Sequence, residues 1–258
     1  MGVNNIVSLD SVSMIYHQRE GETYALQNIS FDVEEGEFIG IVGPSGCGKT
    51  TILSLIAGLI KPTSGTVYVE GKPVEGPSSK VGYMLQQDHL FEWRTILQNV
   101  LLGLEIQGKV NKETKAKAEE LLENYGLGEF KDHYPHQLSG GMRQRAALIR
   151  TLAINPKILL LDEPFSALDY QTRLAVSVEV ADIIKKEKKT ALLVTHDISE
   201  AIAMSDRVLV LTKRPATIKS CHKIQLTCDS NDPISCRQAP EFRKYFDAIW
   251  KELDVHVQ

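Results

Sequence analysis

Apolar positions along the chain keep two rhythms, and each rhythm predicts a kind of element. Ile29, Phe31 and Val33 alternate with polar residues, and Val7, Leu9 and Val12 stand out in a mostly polar stretch, so the N-terminal region reads as half-buried strands. Glu34-Glu35-Gly36-Glu37 turns the chain. Phe38 to Val42 (FIGIV) is a short apolar run bounded by Gly and Pro, which predicts a fully buried strand, and Thr50 to Leu59 has helical spacing. The order is strand, Gly-rich loop, helix. Lys61-Pro62-Thr63-Ser64-Gly65 breaks the pattern, and Thr66 to Glu70 with Gly71-Lys72 predicts the start of an exposed hairpin.

After Val81 to Leu85 the apolar residues recur at helical spacing, as at Ala118, Leu121, Leu122 and Tyr125, which predicts a helical insertion reaching Asn155. Asn111 is placed to cap this helix and Gly126 to end it. Buried strands return in Ile158 to Leu161 and Ala191 to Thr195, separated by the helical stretch Thr172 to Lys186. Strands alternating with helices predict a parallel sheet. The Lys185-Lys186-Glu187-Lys188-Lys189 run falls where that helix ends, where cations offset the negative dipole end, and reads as a solvated turn. Phe242, Tyr245, Phe246, Ile249 and Trp250 form one apolar helical stripe, expected to pack on the core.

Composition narrows the class. The chain has 258 residues, 43% hydrophobic and 24% charged, which describes a folded protein of one large or two small domains. Its net charge of −4 argues against a general nucleic-acid coat, whose phosphate partner demands a basic face. No apolar run approaches the ~20 residues that cross a bilayer, and Met1 to Asp10 lacks a secretory pattern, so a cytosolic protein is expected. Cys47, Cys221, Cys228 and Cys236 form no C-x-x-C pair and have no His at zinc-finger spacing; reduced thiols are expected, without a metal site or disulfide framework.

Three segments carry chemistry. Gly43-Pro44-Ser45-Gly46-Cys47-Gly48-Lys49-Thr50, followed by Thr51, matches G-x-x-x-x-G-K-[ST] between a buried strand and a helix. A loop poor in Cβ atoms can turn consecutive N–H groups toward phosphate oxygens, and the helix N-terminus adds partial positive charge. Lys49 is then placed for the β- and γ-phosphates and Thr50 for Mg²⁺, with Cys47 a small loop residue. Ile158 to Leu161 ends abruptly in Asp162 and Glu163, one carboxylate for the Mg²⁺ shell and one to act as base on the attacking water. Leu138-Ser139-Gly140-Gly141-Met142 is a second Gly turn entering a helix, with Ser139 as N-cap, and so a second anion site. One nucleotide needs a single cradle, so this one is surplus.

Taken in order, the phosphate loop, LSGGM, LLLDEP, Ser166-Ala167-Leu168-Asp169 and Thr195-His196-Asp197 resemble the ATP-binding subunit of ABC transporters, over the span from Tyr16 to about Leu211. The resemblance implies an α/β fold of the ABC ATPase type: a P-loop NTPase core, its parallel sheet joined by an antiparallel β subdomain, plus an α-helical subdomain. On this numbering the ATPase domain is 1–225, with 1–86 and 156–225 as core and β subdomain and 87–155 as the helical signature subdomain. Residues 226–258 are then a tail with the amphipathic helix, too short for an added regulatory domain.

The same resemblance implies the cofactors ATP and Mg²⁺ and a head-to-tail homodimer, in which Ser139, Gly140 and Gly141 of one copy cap the γ-phosphate held by Lys49 of the other. That accounts for the surplus cradle. Gln86 resembles the glutamine that reaches Mg²⁺ and the water, His196 the switch histidine at the γ-phosphate, and Asp169 the aspartate linking the two sites. Tyr16 resembles the aromatic that stacks on adenine, with Tyr24 as the alternative. Met142 in the signature and Trp93 after Gln86 resemble the branch serving nitrate, taurine and aliphatic-sulfonate importers, although Glu92 stands where that branch usually has Pro and Leu85 where Phe often precedes the glutamine. The expected partners are two transmembrane permease subunits, docked on the helical insertion, and a solute-binding protein, with the chain peripheral at the cytoplasmic face of the membrane. Nucleic acid is not expected. Two other classes stay open here: a DNA-repair or translation ATPase using the same cassette, and a small-molecule kinase, which has no use for LSGGM.

Overall fold

The computed structural model describes residues 5–18, 21–228 and 233–253. The chain opens with β1 (Asn5–Gln18), β2 (Gly21–Glu34), β3 (Phe38–Val42), α1 (Lys49–Ile56), β4 (Ser64–Val69) and β5 (Lys72–Pro73). It continues through β6 (Val81–Met84), α2 (Ile96–Ile106), α3 (Lys112–Asn124), α4 (Gly140–Ala153), β7 (Ile158–Asp162) and α5 (Tyr170–Lys186). The remaining described elements are β8 (Thr190–Val194), α6 (Ile198–Met204), β9 (Arg207–Leu211), β10 (Ile218–Lys223), α7 (Pro233–Arg237) and α8 (Phe242–Leu253). They divide into two compact units, one of residues 1–78 with 188–258 and one of residues 79–187.

In the first unit an antiparallel sheet runs β2-β1-β4-β5. The expected hairpin forms between β4 and β5, turning at Glu70 and Gly71, both at positive φ (50° and 69°), the conformation a tight hairpin turn requires. The second strand set of this unit runs β10-β9-β3-β8, with β3 parallel to both β8 and β9. FIGIV is buried because β3 has a strand on each side and a helix on its face. A Cβ at Gly40 would fall 2.8 Å from Ser205 Oγ and 3.1 Å from Ala201 Cβ, so α6 lies directly on the strand. Val42, Ile198, Ala201, Ile202, Val208, Val210 and Ile249 make one core cluster, which draws in Phe242, Tyr245 and Phe246 from the C-terminal stripe. Trp250 departs from the expected packing: it is 51% exposed and stacks on Phe246 with ring centroids 6.0 Å apart. Next to Ile249 in sequence, it is rotated ~100° around the helix from the buried position.

The thiols also depart from expectation. Cys47 and Cys221 are free, but Cys228 and Cys236 are joined by a disulfide, their Cα atoms 5.2 Å apart. That separation lies within bridging range, and no recognisable spacing motif announces the pair.

In the second unit β6 and β7 pair in parallel from Val81↔Ile158 to Met84↔Leu161. This unit takes in both strands and α5, and so extends beyond the helical span 87–155. Its helices begin with side-chain caps: Thr95 accepts from Gln98 N, Asn111 from Thr114 N, Ser139 from Met142 N and Asp169 from Thr172 N. Asn111 and Ser139 therefore cap the helices anticipated for them. No helix among the described residues is long and apolar enough to cross a membrane.

Asn99, fully buried in α2, binds the loop before its own helix. Its Oδ1 accepts from Phe91 N at 2.7 Å, and its Nδ2 reaches the carbonyls of Phe91, Arg94 and Thr95 at 3.1, 3.2 and 3.0 Å. Asn99→Ala leaves Phe91 N without its side-chain acceptor and removes the amide that ties Phe91, Arg94 and Thr95 together, and it is expected to lower stability by roughly 2 kcal/mol. Urea unfolding checks this; a loss below about 1 kcal/mol would mean that water replaces the amide.

Candidate functional site

In the first unit β3 leads at its C-terminal end into the phosphate loop. Gly46 and Gly48 have φ of 71° and 126°, which L side chains rarely adopt, and a Cβ at Gly43 would lie 2.9 Å from Cys47 Sγ. The loop is thereby closed on itself around Cys47. That thiol is buried, its N–H donates to Pro44 O at 3.2 Å, and burial pushes its pKa up, so it is a neutral packing group.

Lys49 supplies the charge. It is only 6% exposed, and its Nζ donates to Gly43 O at 3.0 Å and Pro44 O at 3.2 Å. An ammonium out of water and held by neutral carbonyls is an anion receptor, because an opposite charge recovers what desolvation cost. The helix start adds to this: the first turn of α1 holds no acidic residue, and no side chain caps it. Arg214, which sequence reasoning missed, donates through Nε to Gly46 O at 3.1 Å and steadies the loop.

Tyr16 comes to the same place, with its Oη 3.2 Å from Thr51 Oγ1. The alternative aromatic, Tyr24, is half exposed and donates to Glu22 at 3.0 Å, two residues along its own strand. Ser45 is exposed in the loop and Thr50 in the first turn of α1, and Pro44 is half-buried. His196 is exposed just after β8, the parallel neighbour of β3, so it leaves the sheet at the same end as the phosphate loop. Asp197 caps α6 behind it, accepting from Ser199 N at 2.8 Å.

In the second unit Gln86 and the carboxylates emerge together from the C-terminal ends of the parallel pair β6 and β7. Asp162 is buried and accepts from Tyr83 Oη at 3.2 Å. Glu163 has φ of 46°, a left-handed backbone that costs a non-glycine residue ~1–3 kcal/mol and persists only where its surroundings fix it. Ser166 fixes it by donating N–H and Oγ to Glu163 O at 3.1 and 3.0 Å. Gln144 donates to Pro164 O from below. Gln86 is exposed.

Ser139 starts α4, with Oγ 3.3 Å from Met142 N, and no acidic residue occupies the first turn. A Cβ at Gly141 would meet Val176 at 3.0 Å, and one at Gly140 would meet Leu168 at 3.2 Å, so the glycines seat this helix start against its neighbours. Asp169 is exposed and caps α5; the hydrogen bonds from Thr172 hold its carboxyl below the usual range. The candidate residues therefore form two groups, Tyr16, Gly43–Thr51 and His196 in one unit, and Gln86, Ser139–Gly141, Asp162, Glu163 and Asp169 in the other.

Among the described residues no three His, Cys, Asp or Glu side chains gather to hold a metal by themselves. The buried carboxylate of Asp162 and the amide of Gln86, both at the C-terminal ends of β6 and β7, are oxygen donors of the kind taken by Mg²⁺, which completes its octahedron with waters and substrate phosphates. The second unit also exposes apolar groups: Trp93 is 72% exposed and stacks on Phe91 at 4.8 Å, and Leu85 is exposed beside Gln86.

A phosphate loop on a parallel strand, an acidic pair ending a second strand and a separate Ser-Gly-Gly helix start define an ATP-binding cassette. The family model for the ABC transporter matches residues 26–166. The chain belongs to that family, as an ATP-hydrolysing cassette of P-loop ABC ATPase fold. It is 50% identical over 97% of its length to an uncharacterized ABC transporter ATP-binding protein of Bacillus subtilis, covering 96% of that protein. It is 42% identical over 94% of its length to the nitrate import ATP-binding protein of Synechocystis sp., covering 93% of it. Among solved structures, the dimeric ATP-binding cassette in a post-hydrolysis state bound to ADP and Pi matches with TM-score 0.73 and 36% identity, covering 85% of this chain and 99% of that one.

Proposed function

We propose that the chain is the ATP-hydrolysing subunit of an importer for a small anion of the nitrate, sulfonate or taurine type, working as a homodimer that ATP closes and hydrolysis reopens. The observation that carries the reading is the pair of acid-free helix N-termini, α1 behind a single phosphate loop and α4 behind Ser139, in a chain that binds one nucleotide. A twofold pairing uses both, the α4 end of each copy closing on the phosphates held by the other. An identity of 42% to a nitrate import ATP-binding protein over nearly its full length supports the anion class.

Within each composite site Lys49 and the N–H groups from Gly43 to Thr51 bind the β- and γ-phosphates, and Tyr16 offers its ring to adenine. Asp162, Thr50 and Gln86 would hold Mg²⁺, which when bound supplies neutralising charge at the phosphate oxygens. Glu163 takes the proton of the attacking water, and His196 contacts the γ-phosphate. Ser139, Gly140 and Gly141 of the opposite copy stabilise the charge that develops there, the part an arginine finger plays in other phosphoryl-transfer enzymes. Asp169 links the two sites. Exposed Trp93 and Leu85 lie on the helical unit, where the permease subunits dock and place the chain at the cytoplasmic face of the membrane. A solute-binding protein completes the assembly.

Size-exclusion chromatography of the Glu163→Gln protein tests the pairing. With ATP it is expected to elute at twice the 28.7 kDa monomer mass, and adding Ser139→Arg is expected to return it to the monomer position. Monomeric elution of Glu163→Gln with ATP would overturn the reading.

A further inference from the structure

The segment that follows Gln86 is bound to α4 by two arginines that the proposed chemistry leaves unused. Arg143 donates from Nε to Asp88 Oδ2 at 3.1 Å and from Nη1 to Leu138 O at 2.8 Å. Leu138 O is the carbonyl immediately before Ser139. Asp88 also accepts from Leu90 N at 3.1 Å through its other oxygen, which folds the segment tightly. Two turns of helix further on, Arg150 grips the same segment from the main-chain side, with Nη1 2.6 Å from His89 O and Nη2 2.6 Å from Asp88 O. Between these contacts His89 has φ of 44°, a strained backbone that its surroundings must enforce. A cavity of about 280 Å³ lined by Asp88, Arg143, Gln144 and Leu168 lies against this clamp, so the first turn of α4 spans the space between the two loops.

We propose that Arg143 is a positioning residue for ATP hydrolysis, which with Asp88 locks the segment after Gln86 and the carbonyl before Ser139 into one body. The inference rests on the roles given above to Gln86 and Ser139 and adds what makes them move together. A planar guanidinium can serve a carboxylate and a carbonyl at once, which a lysine ammonium on a flexible stem does not reproduce. Displacement of the glutamine and the signature serine relative to each other slows the chemical step, since small misplacements at reacting groups cost rate steeply. Nucleotide binding is carried by Lys49 and its loop and is untouched.

ATP turnover of Asp88→Asn, Arg143→Gln, Arg143→Lys and the Asp88→Asn/Arg143→Gln double variant tests this. Each single variant is expected to lower kcat about tenfold with KM for ATP unchanged, and the double variant to be no worse than the worse single, as for groups acting as a unit. Losses that multiply in the double variant, a raised KM with kcat kept, or wild-type rates overturn the proposal. If Arg143→Gln fails to fold by near-ultraviolet circular dichroism, Asp88→Asn and Arg143→Lys decide by the same split of kcat against KM. Equal turnover by wild-type and Glu163→Gln proteins overturns this inference together with the site roles beneath it. A large Glu163→Gln defect with wild-type rates in the clamp variants overturns the clamp alone.

Discussion

The Glu163→Gln protein is expected to hydrolyse ATP ~100- to 10,000-fold more slowly than wild type while binding it as tightly, the loss typical of removing a general base. The amide has the size and shape of the carboxylate but cannot take the proton of the attacking water. The backbone should not relax, because the left-handed turn at Glu163 is held by Ser166 through the Glu163 carbonyl and not through the side chain. Single-turnover measurement of phosphate release separates the two effects. A loss smaller than about tenfold would assign the base to another group.

For Lys49→Ala the expected result is the opposite split: ATP affinity falls on the order of 100-fold, as when one partner of a buried, hydrogen-bonded charge pair is removed. The alanine also leaves the carbonyls of Gly43 and Pro44, which accept from Nζ, without that donor, so the loop loses its internal brace together with its charge. Isothermal titration with ATP reads the change. Wild-type affinity in Lys49→Ala would show that the main-chain N–H groups alone hold the phosphates.

Whatever depends on local chemistry was legible in the sequence. A side-chain acceptor three residues before an orphan N–H caps a helix wherever it occurs, so Asn111 and Ser139 could be placed from neighbours alone. The phosphate loop was legible because glycines at fixed offsets next to a buried strand serve few other purposes. The clamp was not, since Asp88 and Arg143 meet across 55 residues of chain and neither type is unusual on a helix or loop. The Asn99 side chain looked like any polar residue in a helix, and only burial made it a brace. The same holds for Cys228 and Cys236, which are brought together by tertiary structure and not by a spacing motif. Periodicity marked Trp250 as part of an apolar stripe but could not say where the stripe's buried edge falls.

Gly40 carries a consequence for the histidine beyond β8. With only hydrogen between the strand and Ala201, α6 has no lateral slack, and its first turn is the Asp197 cap directly behind His196. Even a methyl group at position 40 would lever the helix outward and swing the imidazole with it. The placement of that ring is thus tied to a point on β3 with no functional group at all.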